Sequence, residues 1–182
     1  MKPIRTKKLT SAAMLFAIGL ILPFITGHIQ QIGNLLLPMH FPVLLCGLIC
    51  GWKYGLMVGF LLPLVRSALF GMPVIYPNAI SMAFELAAYG AIAGALYFHE
   101  GYFCLRSLYR SLAAAMVAGR VIWGAAMILL LDLQGGAFTW QMFLSGAFLN
   151  AIPGIILQLT LIPGIMLALN KTGLLPGKTS KV

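Results

Sequence analysis

Apolar stretches long enough to cross a lipid bilayer recur along the whole chain and decide its fold class. A transmembrane helix needs about 20 mainly apolar residues, and runs of that order follow one another with only short polar loops between them. Hydrophobic residues make up 61% of the 182 residues and charged residues only 8%. A soluble fold has too little polar surface to cover so many apolar side chains. The sequence therefore predicts an all-α integral membrane protein.

Six apolar segments are predicted to form the spans of a single domain that covers residues 1–182. Spans 2 and 3 are short and are separated by a glycine-rich turn over residues 51–55. Pro153 and Pro163 fall inside span 6, which a membrane helix tolerates when its neighbours satisfy the freed carbonyls. The predicted spans are 9–27, 41–51, 55–70, 77–99, 107–131 and 140–169.

The distribution of basic residues predicts the orientation of the chain. With six spans, both termini and the loops after spans 2 and 4 share one side of the membrane, and the loops of the other side hold no Lys or Arg. The positive-inside rule then places both termini in the cytoplasm. The net charge of +9 thus reflects topology and does not indicate a nucleic-acid partner. The residues on the basic side are Lys2, Arg5, Lys7, Lys8, Lys53, Arg106, Arg110, Lys171, Lys178 and Lys181.

Three charged residues fall inside predicted spans, namely Arg66, Glu85 and Arg120. A charge in hydrocarbon costs at least about 2.5–3.5 kcal/mol, so each needs a partner or a wet cavity. Their depths allow all three to share a cavity that opens outward, with a local charge of +1. This charge suits a ligand with a single carboxylate or phosphate, which guanidinium groups bind with two parallel hydrogen bonds. The alternative is an Arg–Glu pair that only ties helices together.

Polar and aromatic residues near these charges are further candidates for the cavity. Asn78 lies at the outer start of span 4, Trp123 follows Arg120 by one turn, and Asn150 lies in the outer half of span 6. Each also has a structural explanation, because interfacial aromatics form belts and a lone Asn often bonds a neighbouring helix. His40, in the first outer loop, is expected to be solvated.

Small residues spaced four apart form a second pattern, which lets helices approach closely. The glycines of spans 2–4 are predicted to pack internally. For Ala13 and Ala17 in span 1, internal packing and docking to a partner subunit both stay open. The glycines concerned are Gly47, Gly51, Gly55, Gly59, Gly90 and Gly94.

Several catalytic motifs are absent from the sequence. It has no Walker A motif for ATP, no HExxH pair and no histidine placed to activate a serine nucleophile. The three cysteines lack a surrounding set of His or carboxylate ligands. We therefore expect no enzyme activity, no metal site and no cofactor.

Taken together, these motifs resemble the S components, the substrate-binding membrane subunits of energy-coupling-factor (ECF) vitamin transporters. The resemblance covers nearly the whole chain. It rests on six short spans, on Ala13 and Ala17, on the glycine ladder and on the segment 71–90, which contains Gly-Met-Pro, Met-Ala-Phe-Glu-Leu and Tyr-Gly. The sequence looks most like pantothenate-type members.

This resemblance implies a function and a set of partners. S components bind a vitamin or its precursor in an outward-facing cavity lined by spans 4–6, so Glu85, Arg120 and Asn150 become cavity residues, whereas Arg66 is less central. Ala13 and Ala17 become a ridge that docks onto a transmembrane coupling (T) subunit carrying two ATPase subunits. The missing Walker motif fits this arrangement, since partners supply the energy. The implied location is the bacterial plasma membrane, with several spans in the lipid bilayer.

Pantothenate is the preferred substrate because it is a monoanion and fits a local charge of +1. Nicotinate fits the charge equally well, whereas pyridoxine and hydroxymethylpyrimidine are neutral and fit it less well. Two other functions stay open. One is a stand-alone secondary transporter in which Glu85 carries a proton, and the other is a membrane scaffold without a ligand.

Overall fold

The computed structural model describes residues 3–25, 37–99, 104–133, 135, 139–147 and 151–172. All the regular secondary structure in these ranges is helical, which confirms the predicted all-α class. The helices are α1 (Pro3–Ile25), α2 (His40–Cys50), α3 (Trp52–Phe70), α4 (Ile80–His99), α5 (Leu105–Asp132), α6 (Trp140–Ala147) and α7 (Ile152–Lys171).

Five of the described helical segments are long and apolar enough to cross a membrane. They correspond to α1, α3, α4 with the turn before it, α5 and α7. The shorter apolar helix α2 matches predicted span 2. The prediction of several apolar helices of membrane-spanning length is therefore confirmed, while the count of six spans and the cytoplasmic termini stay predictions.

Helix α2 forms the centre of the fold. Ten of its eleven residues are buried, and Ile49 is the exception. A helix that is apolar on every side lies in a protein core or in lipid, and α2 packs against α1, α3 and α4. Since α2 begins at His40, this arrangement carries a histidine side chain into the interior.

Glycines let α2, α3 and α4 pack with their backbones in direct contact. A Cβ atom added to Gly90 would overlap the main-chain carbonyl of Gly55, and one added to Gly59 would overlap the carbonyl of Leu86. A Cβ on Gly94 would lie 2.6 Å from the Trp52 nitrogen. The prediction of internal packing is confirmed for Gly47, Gly55, Gly59, Gly90 and Gly94.

The break between α2 and α3 is tighter than the predicted turn over residues 51–55. Gly51 alone separates the two helices, with φ 104° and ψ 168°, a region that favours glycine. Helix α3 then begins at Trp52, so that Gly55 is a helical residue rather than part of the turn.

Two regular helices begin at other residues than predicted, α4 at Ile80 and α7 at Ile152. Pro77 lies in an irregular turn, Ile75–Ala79, in which Tyr76 has an extended backbone, and the regular helix α4 begins at Ile80. Helix α7 begins at Ile152, so Pro153 lies in its first turn rather than inside a longer helix. Proline is favoured there because the first-turn N–H groups have no partner within the helix.

Candidate ligand-binding site

A buried ion pair lies between α4 and α5. The Nη1 atom of Arg120 lies 3.0 Å from Oε1 of Glu85, and the side chains are 6% and 2% exposed. Two of the three predicted intramembrane charges are thus in contact. Pairing offsets the cost that either charge alone would carry in a low-dielectric interior.

His40 is the third member of this cluster, at the first position of α2. Its Nε2 atom lies 3.4 Å from the same Glu85 oxygen, and its side chain is buried. The expectation that His40 is solvated is wrong, because α2 begins inside the fold rather than at its surface. A single carboxylate oxygen therefore faces both an arginine and a histidine.

Tyr89 packs beside the cluster, one turn after Glu85 on the same face of α4. Its ring meets the His40 ring edge to face, with 4.9 Å between the centroids. On α5, a Cβ atom at Gly119 would overlap the Tyr89 ring, so the glycine before Arg120 makes room for it. Small residues thus bring three helices together around the charges.

Several buried polar atoms, most of them in the cluster, lack a hydrogen bond of regular geometry among the residues that the structure describes. They are Nδ1 of His40, the hydroxyl of Tyr89, Nε and Nη2 of Arg120, and Nε2 of Gln158 on α7. A buried polar group without a partner costs about 1–3 kcal/mol. Buried polar groups without regular hydrogen bonds beside an ion pair indicate a place where a ligand or water molecules complete the hydrogen bonding.

Arg66 makes its described contacts with α1 and α3 rather than with the Glu85–Arg120 pair, and its predicted place in the cavity stays a prediction. Its Nη1 atom donates to the Leu20 carbonyl of α1 at 2.6 Å. Its guanidinium also lies over the rings of Phe24 and Phe70, at 4.9 and 5.6 Å from their centroids. These contacts join α1 to α3 and do not reach Glu85.

Asn78, Trp123 and Asn150 are the other predicted cavity residues. The Asn78 residue is exposed, and its carbonyl accepts a hydrogen bond from Ser81 at 2.9 Å. Trp123 stacks on Phe143 of α6, with 6.4 Å between centroids and 26° between planes. Asn150 lies outside the described residues. The ligand-binding role of these three residues stays a prediction.

The predicted docking residues Ala13 and Ala17 are both exposed on α1, whereas the neighbouring Ala12 is buried. The small-residue ridge thus faces away from the other described helices. An exposed position is compatible with contact to a partner or to lipid.

The chain is similar to a known family of membrane proteins. The family model for the substrate-specific component of ECF transporters matches residues 7–166, which is most of the chain. The chain belongs to this family. No curated protein and no solved structure matches it significantly.

As an ECF substrate-specific component, the protein is a transporter subunit rather than an enzyme. Such a component works with a transmembrane coupling module and ATPase subunits and receives a small-molecule substrate. The resemblance found in the sequence is thereby confirmed at the level of the family.

Sequence reasoning missed His40 and Tyr89 in the ECF component's polar cluster, and it did not single out the buried Gln158 of α7. The signal for Gln158 was available, since a single amide inside an apolar helix normally faces a partner or a cavity. Tyr89 is four residues after Glu85 and so shares its face. Only the burial of His40 required the fold, because a histidine that precedes an apolar run has the pattern of a loop residue.

Proposed function

We infer that this protein is the high-affinity substrate-binding subunit of an ECF-type ABC importer and that its substrate is a vitamin or vitamin precursor with one carboxylate, pantothenate in the first place. The observation that carries this proposal is the Nε–Nη2 edge of the buried Arg120 guanidinium. Its Nη1 faces Glu85, while Nε and Nη2 make no hydrogen bond of regular geometry among the described residues, and the Tyr89 hydroxyl lies beside the guanidinium.

The chemistry of a guanidinium explains why this edge selects a carboxylate. Nε and Nη2 lie on one side of the planar group and point two N–H bonds in parallel. A carboxylate accepts both, which gives a short, charge-assisted and orientation-specific contact. Glu85 holds the opposite side of the guanidinium, so the edge is presented in a fixed orientation before a ligand arrives.

The remaining unused groups suit the rest of a pantothenate molecule. Pantothenate carries hydroxyls and an amide besides its carboxylate, and the Gln158 amide and the Tyr89 hydroxyl are buried polar groups that offer such partners. Nicotinate offers the carboxylate but no hydroxyl or aliphatic amide. Pyridoxine and hydroxymethylpyrimidine lack a carboxylate for the Arg120 edge, so they are weaker candidate substrates than the two monoanions.

Delivery of the substrate is proposed to use the exposed face of α1. Ala13 and Ala17 form a small-residue ridge that a helix of the coupling subunit can approach closely. The two ATPase subunits on that coupling subunit supply the energy. The protein itself then resides in the bacterial plasma membrane with both termini in the cytoplasm.

A thermal-shift screen of the purified protein against B-vitamins and their precursors tests this function. A ligand at about 1,000 times its dissociation constant stabilises the fold by about 4 kcal/mol, so pantothenate is expected to give a large shift. A shift with a different vitamin keeps the transporter role and replaces the substrate. If no compound shifts the protein, the substrate-binding proposal fails. Uptake that persists without the ATPase subunits favours a stand-alone secondary transporter.

A further inference from the structure

A second cavity lies between the end of α4 and the start of α5, with a volume of about 210 Å³. One candidate membrane span ends at His99 and the next begins at Leu105, so the cavity lies at the level where two spans leave the bilayer. Ser107 is about 20 Å from Arg120 along the axis of α5, since an α-helix rises about 1.5 Å per residue. The cavity is therefore separate from the proposed substrate site. Its lining residues are Leu96, His99, Ser107, Arg110, Ser111 and Ala114.

Ser107 is a buried polar residue in the wall of this cavity. It is 2% exposed, and its hydroxyl makes no hydrogen bond among the described residues, whereas the Ser111 hydroxyl donates to the Ser107 carbonyl at 2.8 Å. Ser107 also lies in the first turn of α5, whose N-cap residue Cys104 makes no side-chain hydrogen bond to the helix. A buried hydroxyl without a partner is costly, and the uncapped start of a helix attracts negative charge. Both features favour a ligand with anionic acceptor oxygens.

The other polar side chains of the cavity are donors as well. Arg110 contributes a guanidinium, and the His99 imidazole has at least one N–H donor in every protonation state. Of the acidic residues that the structure describes, Glu85 belongs to the buried ion pair and Asp132 lies at the far end of α5. Glu100 lies outside the described residues. The described part of the cavity thus combines several donors with a positive charge.

We propose that this cavity binds the phosphate group of an anionic phospholipid. The phosphate oxygens accept hydrogen bonds from the Ser107 hydroxyl, the His99 imidazole and the Arg110 guanidinium, and the last of these is charge-assisted. Basic pockets between transmembrane helices on the cytoplasmic side bind lipid headgroups. The predicted orientation of the chain places this end of α4 and α5 on that side, where the leaflet carries anionic lipids.

The apolar surroundings of the cavity favour a lipid over a free phosphate ion. Leu96 and Ala114 line the cavity, and Leu96 is also exposed on the surface of α4. Val117 is exposed on α5, about one turn further into the span than Ala114. An acyl chain that extends from the bound headgroup meets these apolar side chains, whereas inorganic phosphate gains nothing from them.

Native mass spectrometry of the purified chain, titrated with phosphatidylglycerol, tests this site. Arg110→Gln removes the charge-assisted contact and is expected to weaken the binding of one phosphatidylglycerol about tenfold. Arg106→Gln is the matched control, because it removes the same charge from an exposed residue of the same helix that does not line the cavity. This control should leave the Kd unchanged. Equal losses in the two variants would show a general attraction to basic residues and overturn the site.

Ser107→Ala tests the buried hydroxyl without changing any charge. Because this hydroxyl has no hydrogen-bond partner among the described residues, the variant is expected to fold normally and to bind phosphatidylglycerol several-fold more weakly. An unchanged Kd in both Ser107→Ala and Arg110→Gln would overturn the proposal.

Two further probes identify the source of the phosphate. Phosphatidylcholine carries its own cation beside the phosphate and is expected to bind more weakly than phosphatidylglycerol. Inorganic phosphate lacks acyl chains and is expected not to displace phosphatidylglycerol at equal concentration. Equal binding of phosphatidylcholine would overturn the selection of an anionic lipid, and displacement by inorganic phosphate would assign the cavity to the free ion instead. Neither result bears on the substrate proposed for the Glu85–Arg120 site.

Discussion

Arg120 and Glu85 form a buried ion pair between neighbouring helices, with 3.0 Å between Nη1 and Oε1. Removal of one member of such a pair leaves a buried charge without compensation and costs about 3–5 kcal/mol, whereas removal of both members leaves no charge behind. A single variant and a double variant of the pair can therefore distinguish a loss of stability from a loss of ligand binding.

The variant Arg120→Gln is expected to lower the free energy of unfolding by about 3 kcal/mol and to abolish pantothenate binding. The double variant with Arg120→Gln and Glu85→Gln should recover most of the stability and still fail to bind, because the carboxylate has lost its guanidinium. Thermal unfolding and calorimetry of the purified proteins check both parts. A double variant that binds pantothenate with unchanged affinity would remove the pair from the site.

Arg66 is expected to stabilise the fold without taking part in binding. Arg66→Met removes the hydrogen bond to the Leu20 carbonyl and the cationic contact with Phe24. Because hydrogen bonds of charged groups contribute about 1.5–3 kcal/mol, we expect a comparable loss of stability with an unchanged Kd. The exposed Lys53, which lies over the neighbouring Trp52 ring, offers the control Lys53→Met with little effect on either quantity. An Arg66→Met protein of normal stability and much weaker binding would contradict this assignment.

The outcome for the three intramembrane charges shows what the sequence could predict about the site. Their presence inside apolar helices was enough to predict buried partners, and Glu85 and Arg120 indeed meet. Arg66 was grouped with them because its depth is similar. Depth along a helix does not define the direction of a side chain around the axis, and Arg66 points toward α1 instead.

The fold was predictable where a single physical effect dominates. The apolar runs predicted the helices, and the four-residue spacing of the glycines predicted internal packing, which the close contact of α3 with α4 confirms. Where local effects compete, prediction failed. Pro153 was placed inside a helix that the structure begins at Ile152, because proline is compatible with either position in a membrane. His40 was placed in a loop because its burial depends on where α2 sits in the assembled fold.

Gly90→Ala is expected to destabilise the protein because the new methyl group would overlap the Gly55 carbonyl and force α3 and α4 apart. Overpacking of this kind costs about 1–3 kcal/mol. The matched control is Gly164→Ala in α7, where a Cβ atom meets nothing within 4 Å and where alanine favours the helix. Unfolding temperatures of the two variants give the comparison. Equal stability of Gly90→Ala and Gly164→Ala would show that α3 and α4 do not pack as closely as described.

Ala13 and Ala17 provide the test of docking. Because both are exposed, the double variant with Ala13→Phe and Ala17→Phe is expected to fold and bind pantothenate with unchanged Kd, yet to lose at least tenfold in affinity for the coupling subunit. Co-purification of that subunit and calorimetry of the isolated protein measure the two effects.

Val117 and Val121 give a matched control for this docking experiment, since they are also exposed and four residues apart, on α5. Val117→Phe with Val121→Phe should leave docking intact, because the added bulk lies on a different helix. Docking lost in the alanine variant alone assigns the coupling surface to α1. If the alanine variant instead loses pantothenate binding, the ridge contributes to the packing of the binding site. If it docks normally, the coupling subunit contacts another surface, and the spacing of Ala13 and Ala17 reflects contact with lipid.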